Sequence, residues 1–215
     1  MAGIVVVGAG PGIGLSVARR FAREGLPVAV LARTGKTVQA TAEALAPFEV
    51  KVVPLTTDSA DDTSLREALD QAVAELGTPD VVVYNVAIMR ADSPGELSMR
   101  AHQESWAANV VGALNTAAHI APKMGQRGGG SVIITGGMPE PRPDYVSLSL
   151  GKAGVRTLVK LLDKEYGPTG VHVATVTVGG DVTPGTAYDP DDIAEQYWRL
   201  HTQPREEWEH EISFG

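Results

Sequence analysis

The chain has 215 residues, 43% of them hydrophobic, and 26 acidic against 18 basic side chains give a formal net charge of -8. That length supports one α/β domain with a sizeable core, and the acidic balance argues against a nucleic-acid backbone as partner. The absence of cysteine excludes disulfides, thiolate nucleophiles and thiolate metal sites together. No apolar run approaches the ~20 residues that cross a bilayer, and the start Met-Ala-Gly-Ile-Val lacks the basic segment of a signal peptide, so a cytoplasmic domain is expected.

Ile4–Val7 reads as the first strand and runs directly into a loop with Gly8, Gly10, Pro11 and Gly12. A helical pattern through Val17, Ala18, Phe21 and Ala22 follows, predicting a helix over Ile13–Glu24. Strand, glycine turn and helix N-terminus in that order make a phosphate site. Glycines allow a tight turn and close backbone approach, and the helix start offers unpaired N–H groups and partial positive charge. Gly8, Gly10, Pro11, Gly12, Ile13 and Gly14 are therefore candidate ligands of a dinucleotide; the plain alternative is a tight turn with no ligand.

Further strands are predicted at Val28–Leu31, Val50–Pro54, Val81–Tyr84, Ser131–Ile134, Val171–Val178 and Glu211–Phe214. Helices fall near Lys36–Leu45, Thr63–Leu76, Leu97–Met124, Tyr145–Tyr166 and Asp191–His201, with Gly128–Gly130 as a flexible lead into the fifth strand. Strands that are apolar throughout are buried on both faces, the pattern of a parallel sheet covered by helices on each side. The handedness of crossovers then gives a single-domain, doubly wound sheet of about seven strands.

Ligands of such sheets bind at the carboxyl ends of the strands, so the residues after each strand matter most. After the second come Arg33, Thr34 and Lys36. NAD-selecting folds usually place an acid about 20 residues beyond the glycines, but here the next acid is Glu43. An arginine fork with a lysine nearby suits a 2′-phosphate, which reads as NADP; a solvated surface arginine is the alternative. After the third strand stand Asp58, placed to accept from an adenine amino group, and Ser59, whereas Asp61, Asp62 and Thr63 read as helix-start residues. Asn85, Val86 and Ala87 follow the fourth, small enough to let a dinucleotide lie over the sheet, and Thr135 stands at the exit of the fifth. Asn109 sits within a helix, where asparagine is a mediocre former; a buried polar role and an exposed, indifferent one stand level.

These motifs resemble the short-chain dehydrogenase/reductase family over nearly the whole chain. The family's Thr-Gly-x-x-x-Gly-x-Gly reads Val7 to Gly14 with the glycines in place, and its Asp after the third strand matches Asp58. Asn-Asn-Ala-Gly reads Tyr84-Asn85-Val86-Ala87, keeping one position of the four. The helical Asn matches Asn109, and Pro-Gly-x-x-x-Thr reads Val178-Gly179-Gly180-Asp181-Val182-Thr183. The resemblance implies a Rossmann fold, an extended dinucleotide groove that includes Val178 and Gly179, and pairing of the long helices from Leu97 and Tyr145 into a homodimer or homotetramer.

The catalytic motif departs from the family. Where the family has Ser, Gly137 stands, and Tyr-x-x-x-Lys reads Leu148 to Lys152. A tyrosine one turn before lysine shares its helix face, where the ammonium lowers the phenol's pKa; leucine has no proton to give. Tyr145 lies two turns off, about 10 Å along the axis, and reads in three ways: a packing aromatic, a substrate-pocket residue or a displaced acid. Ser149 and Thr135 are the other nearby hydroxyls. Lys152, which in the family reaches the nicotinamide ribose, is expected to remain a cofactor ligand, so the candidate catalytic set is Lys152, Asn109 and Tyr145.

Trp198 and Trp208 could cover the pocket or a subunit contact, with core packing the simpler expectation, and the five histidines show no metal spacing. The leading expectation is an NADP(H)-dependent oxidoreductase of a small carbonyl or alcohol with a non-standard proton donor. Its rate should rise on Leu148→Tyr with Gly137→Ser. The rivals are a catalytically silent NADP(H)-binding protein and a non-redox enzyme performing dehydration, isomerisation or cyclisation in the same pocket.

Overall fold

A computed structural model describes residues 3–215 of the chain. Seven parallel strands form one sheet in the order β3-β2-β1-β4-β5-β6-β7. They are β1 (Ile4–Val7), β2 (Val28–Ala32), β3 (Val52–Thr56), β4 (Val81–Tyr84), β5 (Gly130–Thr135), β6 (Val171–Val178) and β7 (Glu211–Phe214). The helices are α1 (Ile13–Arg23), α2 (Gly35–Leu45), α3 (Asp62–Leu76), α4 (Met99–Trp106), α5 (Gly112–Arg127), α6 (Val146–Tyr166) and α7 (Pro190–Thr202).

Side chains alternate across a strand, so the uniformly apolar β1 feeds two cores. Val5 and Val7 pack with Leu65 and Leu69 of α3, Ile120 and Met124 of α5 and Val155 and Val159 of α6. Ile4 and Val6 pack on the other face with Val17 and Phe21 of α1, Val38 of α2 and Ile193 and Tyr197 of α7. Helices thus cover both faces, as the doubly wound reading requires. The strand order reverses between β1 and β4, and the crevice at their carboxyl ends is where such sheets bind ligands.

Several element ends shift by a residue or more from expectation, and three differences have a clear structural meaning. β3 runs two residues later than Val50–Pro54 because Pro54 lies inside it. β3 pairs only with β2 at the sheet edge, where a missing N–H costs no ladder bond. The single helix expected over Leu97–Met124 is α4 and α5 joined through a π-helical turn, Ala107–Val111. Tyr145 is the N-cap of α6 rather than its first helical residue. At Gly128–Gly130 the lead is held in place: Gly128 closes α5 in a left-handed conformation and the Gly129 amide donates to Met124 O at 2.9 Å.

Candidate active site

The glycine turn is built by close backbone approach. Gly8 has φ +90°, and a side chain there would meet the Asn85–Val86 peptide at 2.9 Å. A Cβ on Gly14 would stand 2.3 Å from Gly8 O, so Gly14 lets α1 pack against the turn instead of touching the cleft. Gly12 is the N-cap of α1 and brings no side-chain cap, and the first turn carries no acid. The N-terminal amides and partial charge of α1 are left for an anion. Asn85 fastens this turn to the sheet: its Nδ2 donates to Gly8 O at 3.0 Å and its Oδ1 accepts from Thr135 Oγ1 at 2.8 Å. Thr135 Oγ1 is also 2.7 Å from the hydroxyl of buried Tyr197, whose pKa is raised by desolvation.

A cavity of about 840 Å³ runs along the strand ends. Of the sequence candidates it is lined by Gly8, Gly10, Pro11, Ile13, Arg33, Thr34, Ser59, Asn85, Val86, Ala87, Thr135, Lys152, Val178 and Gly179. Gly12, Gly14, Lys36, Asp58, Asn109 and Tyr145 are not among its lining residues. At one end Thr34 caps α2 by accepting from Thr37 N at 3.2 Å, and exposed Arg33 beside it enters no ion pair among the described residues. Asp58 is turned to its own loop, accepting from Ala60 N at 3.0 Å. Asp61 caps α3 through Ser64 N at 2.9 Å, the helix-start role read from the sequence.

At the other end Leu148, Lys152 and Arg156 follow one another turn by turn along α6. Leu148 lines the cavity. Lys152 is 6% exposed, its Nζ donates to Thr135 O at 2.7 Å, and burial lowers its pKa to about 8. Half-buried Arg156 donates from one nitrogen to Gly137 O at 3.0 Å and Met138 O at 3.2 Å. It thereby holds a turn in which Gly137 has φ +151° and Met138 φ +47°. A Cβ on Gly137 would stand 3.6 Å from Lys152 Cε. There is room for a serine, but the backbone disfavours one, which weighs against the Gly137→Ser half of the double substitution.

Asn109 is 1% exposed in the π turn; its Oδ1 accepts from Ile88 N at 2.7 Å and its Nδ2 finds no protein partner. Tyr145 lies outside the cavity with the Arg142 guanidinium 4.9 Å above its ring, and Arg142 pairs with Asp144. Ser149 Oγ accepts from Arg142 N at 3.0 Å. Trp198 packs edge-on to Phe21 and Trp208 stacks on His172; neither lines the cavity. Sequence reasoning missed Arg156 and buried Asp92. The Asp92 carboxylate caps α6 by accepting from Ser147 N at 3.0 Å and Ser147 Oγ at 2.8 Å. No group of three or more metal-ligating side chains gathers among the described residues.

This is the architecture of a nucleotide-binding α/β protein of the doubly wound class. Residues 2–193 match the short chain dehydrogenase family, and the chain belongs to that family. An uncharacterised oxidoreductase of Staphylococcus aureus (strain N315) is 31% identical, over 94% of this chain and 91% of its own. An alcohol dehydrogenase from the archaeon Thermococcus sibiricus, solved in complex with 5-hydroxy-NADP, has a TM-score of 0.88 at 26% identity, covering 98% of this chain and 95% of that one. A short-chain dehydrogenase from Rhodopseudomonas palustris has the same fold, with a TM-score of 0.89 at 23% identity and coverage of 99% and 97%.

Proposed function

We propose that the chain is an NADP(H)-dependent oxidoreductase that interconverts a small carbonyl and its alcohol without the serine and tyrosine of its relatives. The observation that carries the reading is the continuous cavity from Arg33, past the bare N-terminus of α1, to Lys152. The residues present fit the cofactor. The Gly8 turn and α1 would hold the pyrophosphate, Arg33 and Thr34 the 2′-phosphate, and Lys152 the nicotinamide ribose. The dinucleotide supplies the hydride; this chain supplies placement, exclusion of water and a proton. Leu148, Val178 and Val182 give the reacting end an apolar wall, with Glu140, Arg142 and Asp181 at its mouth. Self-association through α4–α6, where Trp106, Leu114, Leu150 and Leu161 are exposed, belongs to the same proposal.

The test is a panel of small aldehydes and ketones offered with NADPH while cofactor absorbance is followed. Oxidation of NADPH by one of them is expected, and Leu148→Tyr, which places a phenol one turn from Lys152, raises the rate further. Tight NADPH binding without oxidation in either protein would leave the silent binder in its place. Conversion of a substrate at constant cofactor absorbance would leave the non-redox enzyme.

A further inference from the structure

We propose that the Lys152 ammonium itself gives the proton that completes carbonyl reduction; the inference rests on the oxidoreductase reading above. It comes from following every hydroxyl at the cavity to its partner. Thr34 and Thr37 bond each other at the start of α2, and Thr57 Oγ1 lies 3.1 Å from Ser64 Oγ. Ser59 hydrogen-bonds the Tyr84 hydroxyl. Thr135 is the one hydroxyl at the Lys152 end, and its proton is committed to Asn85 Oδ1 at 2.8 Å, with Tyr197 OH on its other side. Tyr145 is outside the cavity, and Ser149 is tied to the Arg142 backbone.

Lys152 is left as the proton-bearing group on the floor. Its ammonium carries three hydrogens, and its hydrogen bond to Thr135 O at 2.7 Å uses one. Leu148 and Gly137 bring no polar side-chain atom to it, and a side chain at 137 would fit beside it without a clash, its Cβ at 3.6 Å from both Lys152 Cε and Val178 O. The charges around it are Arg156 on the next turn of α6, Glu140 and Arg142 on the loop after β5, and Asp181 on the loop after β6. None of these carboxylates contributes to its shift; burial alone moves it to about 8. A group titrating there is better matched to proton transfer near neutrality than a free phenol at ~10.

In the step, the carbonyl carbon gains the hydride and its electron pair from the reduced dinucleotide, and the π pair of the C=O bond moves to oxygen. One N–H bond of Lys152 breaks to protonate that oxygen, giving alcohol and a neutral amine that solvent reprotonates. Because the donor is the protonated form, the reduction rate is constant below the Lys152 pKa and falls about tenfold per pH unit above it.

Three measurements test this. The first is a 13Cε NMR titration of the lysines in the cofactor-free chain, with Lys152 assigned by its loss in Lys152→Arg. A midpoint near 8 is expected, and one near the ordinary ~10.4 overturns the proposal. The second is NADPH affinity of Lys152→Arg by fluorescence, expected to stay within about tenfold because a guanidinium still donates to ribose oxygens. The third is the pre-steady-state reduction rate against pH. In Lys152→Arg it should drop ~100-fold or more and lose its fall above pH 8, since a guanidinium gives up no proton. An unchanged rate and profile in that variant removes Lys152 as donor while leaving the oxidoreductase reading intact. Absence of turnover by the unaltered chain with NADPH bound removes both.

Discussion

Arg33 is the residue on which cofactor choice turns. It is exposed at the mouth of the cavity, and no carboxylate among the described residues competes for its fork. A charge-assisted, bidentate contact contributes about 1.5–3 kcal/mol, so Arg33→Ala should weaken NADPH binding ~10- to 150-fold. NADH, which lacks the 2′-phosphate, should lose almost nothing. Isothermal titration of both cofactors against both proteins decides it, and equal losses would sink the NADP assignment. Lys36, on the exposed start of α2 and outside the cavity lining, should change either affinity much less when replaced.

Among the elements, the π turn joining α4 and α5 departs furthest from regular helix. A π turn leaves the ordinary helical bonding pattern locally, and Tyr84 uses the result: its hydroxyl donates to Ala108 O at 2.5 Å. Burial pushes the Tyr84 phenol up to about 12, so it remains a neutral donor. Gly112, one residue past the turn, makes room for it; a Cβ there would stand 2.2 Å from the Tyr84 hydroxyl and 2.5 Å from Ser59 O. Gly112→Ala should cost about 1–3 kcal/mol by overpacking, measured by urea denaturation. Part of that loss should be recovered in a Tyr84→Phe background; a change below about 0.5 kcal/mol would show that the turn yields freely. The same elements explain what could be read in advance. The glycine turn was legible because its demands are local, a strand and a helix joined by residues that must tolerate close approach. Tyr84, Asp92 and Arg156 were not, because their partners lie 24, 55 and 19 positions away and only the crossovers bring them together. Pro54 read as a strand end because propensity cannot tell an edge strand from a central one. Asn109 became readable only once the π turn placed it against Ile88 N.

For the molecule as a whole, Lys152 couples stability to pH. Its pKa is about 8 in the folded chain against ~10.4 when unfolded, so between these values the unfolded chain binds the extra proton. Stability then rises with pH across that window. Below pH 8 the full burial cost of the charge is present, and above ~10.4 it has gone, a difference of about 3 kcal/mol. Lys152→Met, which buries no charge, should be the more stable protein at pH 7, and its advantage should shrink as pH climbs from 8 to 10. Unfolding curves of both proteins at matched pH give the comparison, and an advantage that stays flat would show that this lysine titrates normally. An advantage that shrinks as expected makes the catalytic candidate a liability to the fold, as sites built for chemistry often are.

Gly137 bears on which substitutions this end of the cavity accepts. With its peptide at φ +151° and the following carbonyl gripped by Arg156, a serine at this position would meet a strained backbone before it could present its hydroxyl. The backbone would have to turn first, and Arg156 would have to release it. Substitutions that alter the chemistry at this end of the cavity therefore fall more easily on α6, where Leu148 and Lys152 stand on regular helix.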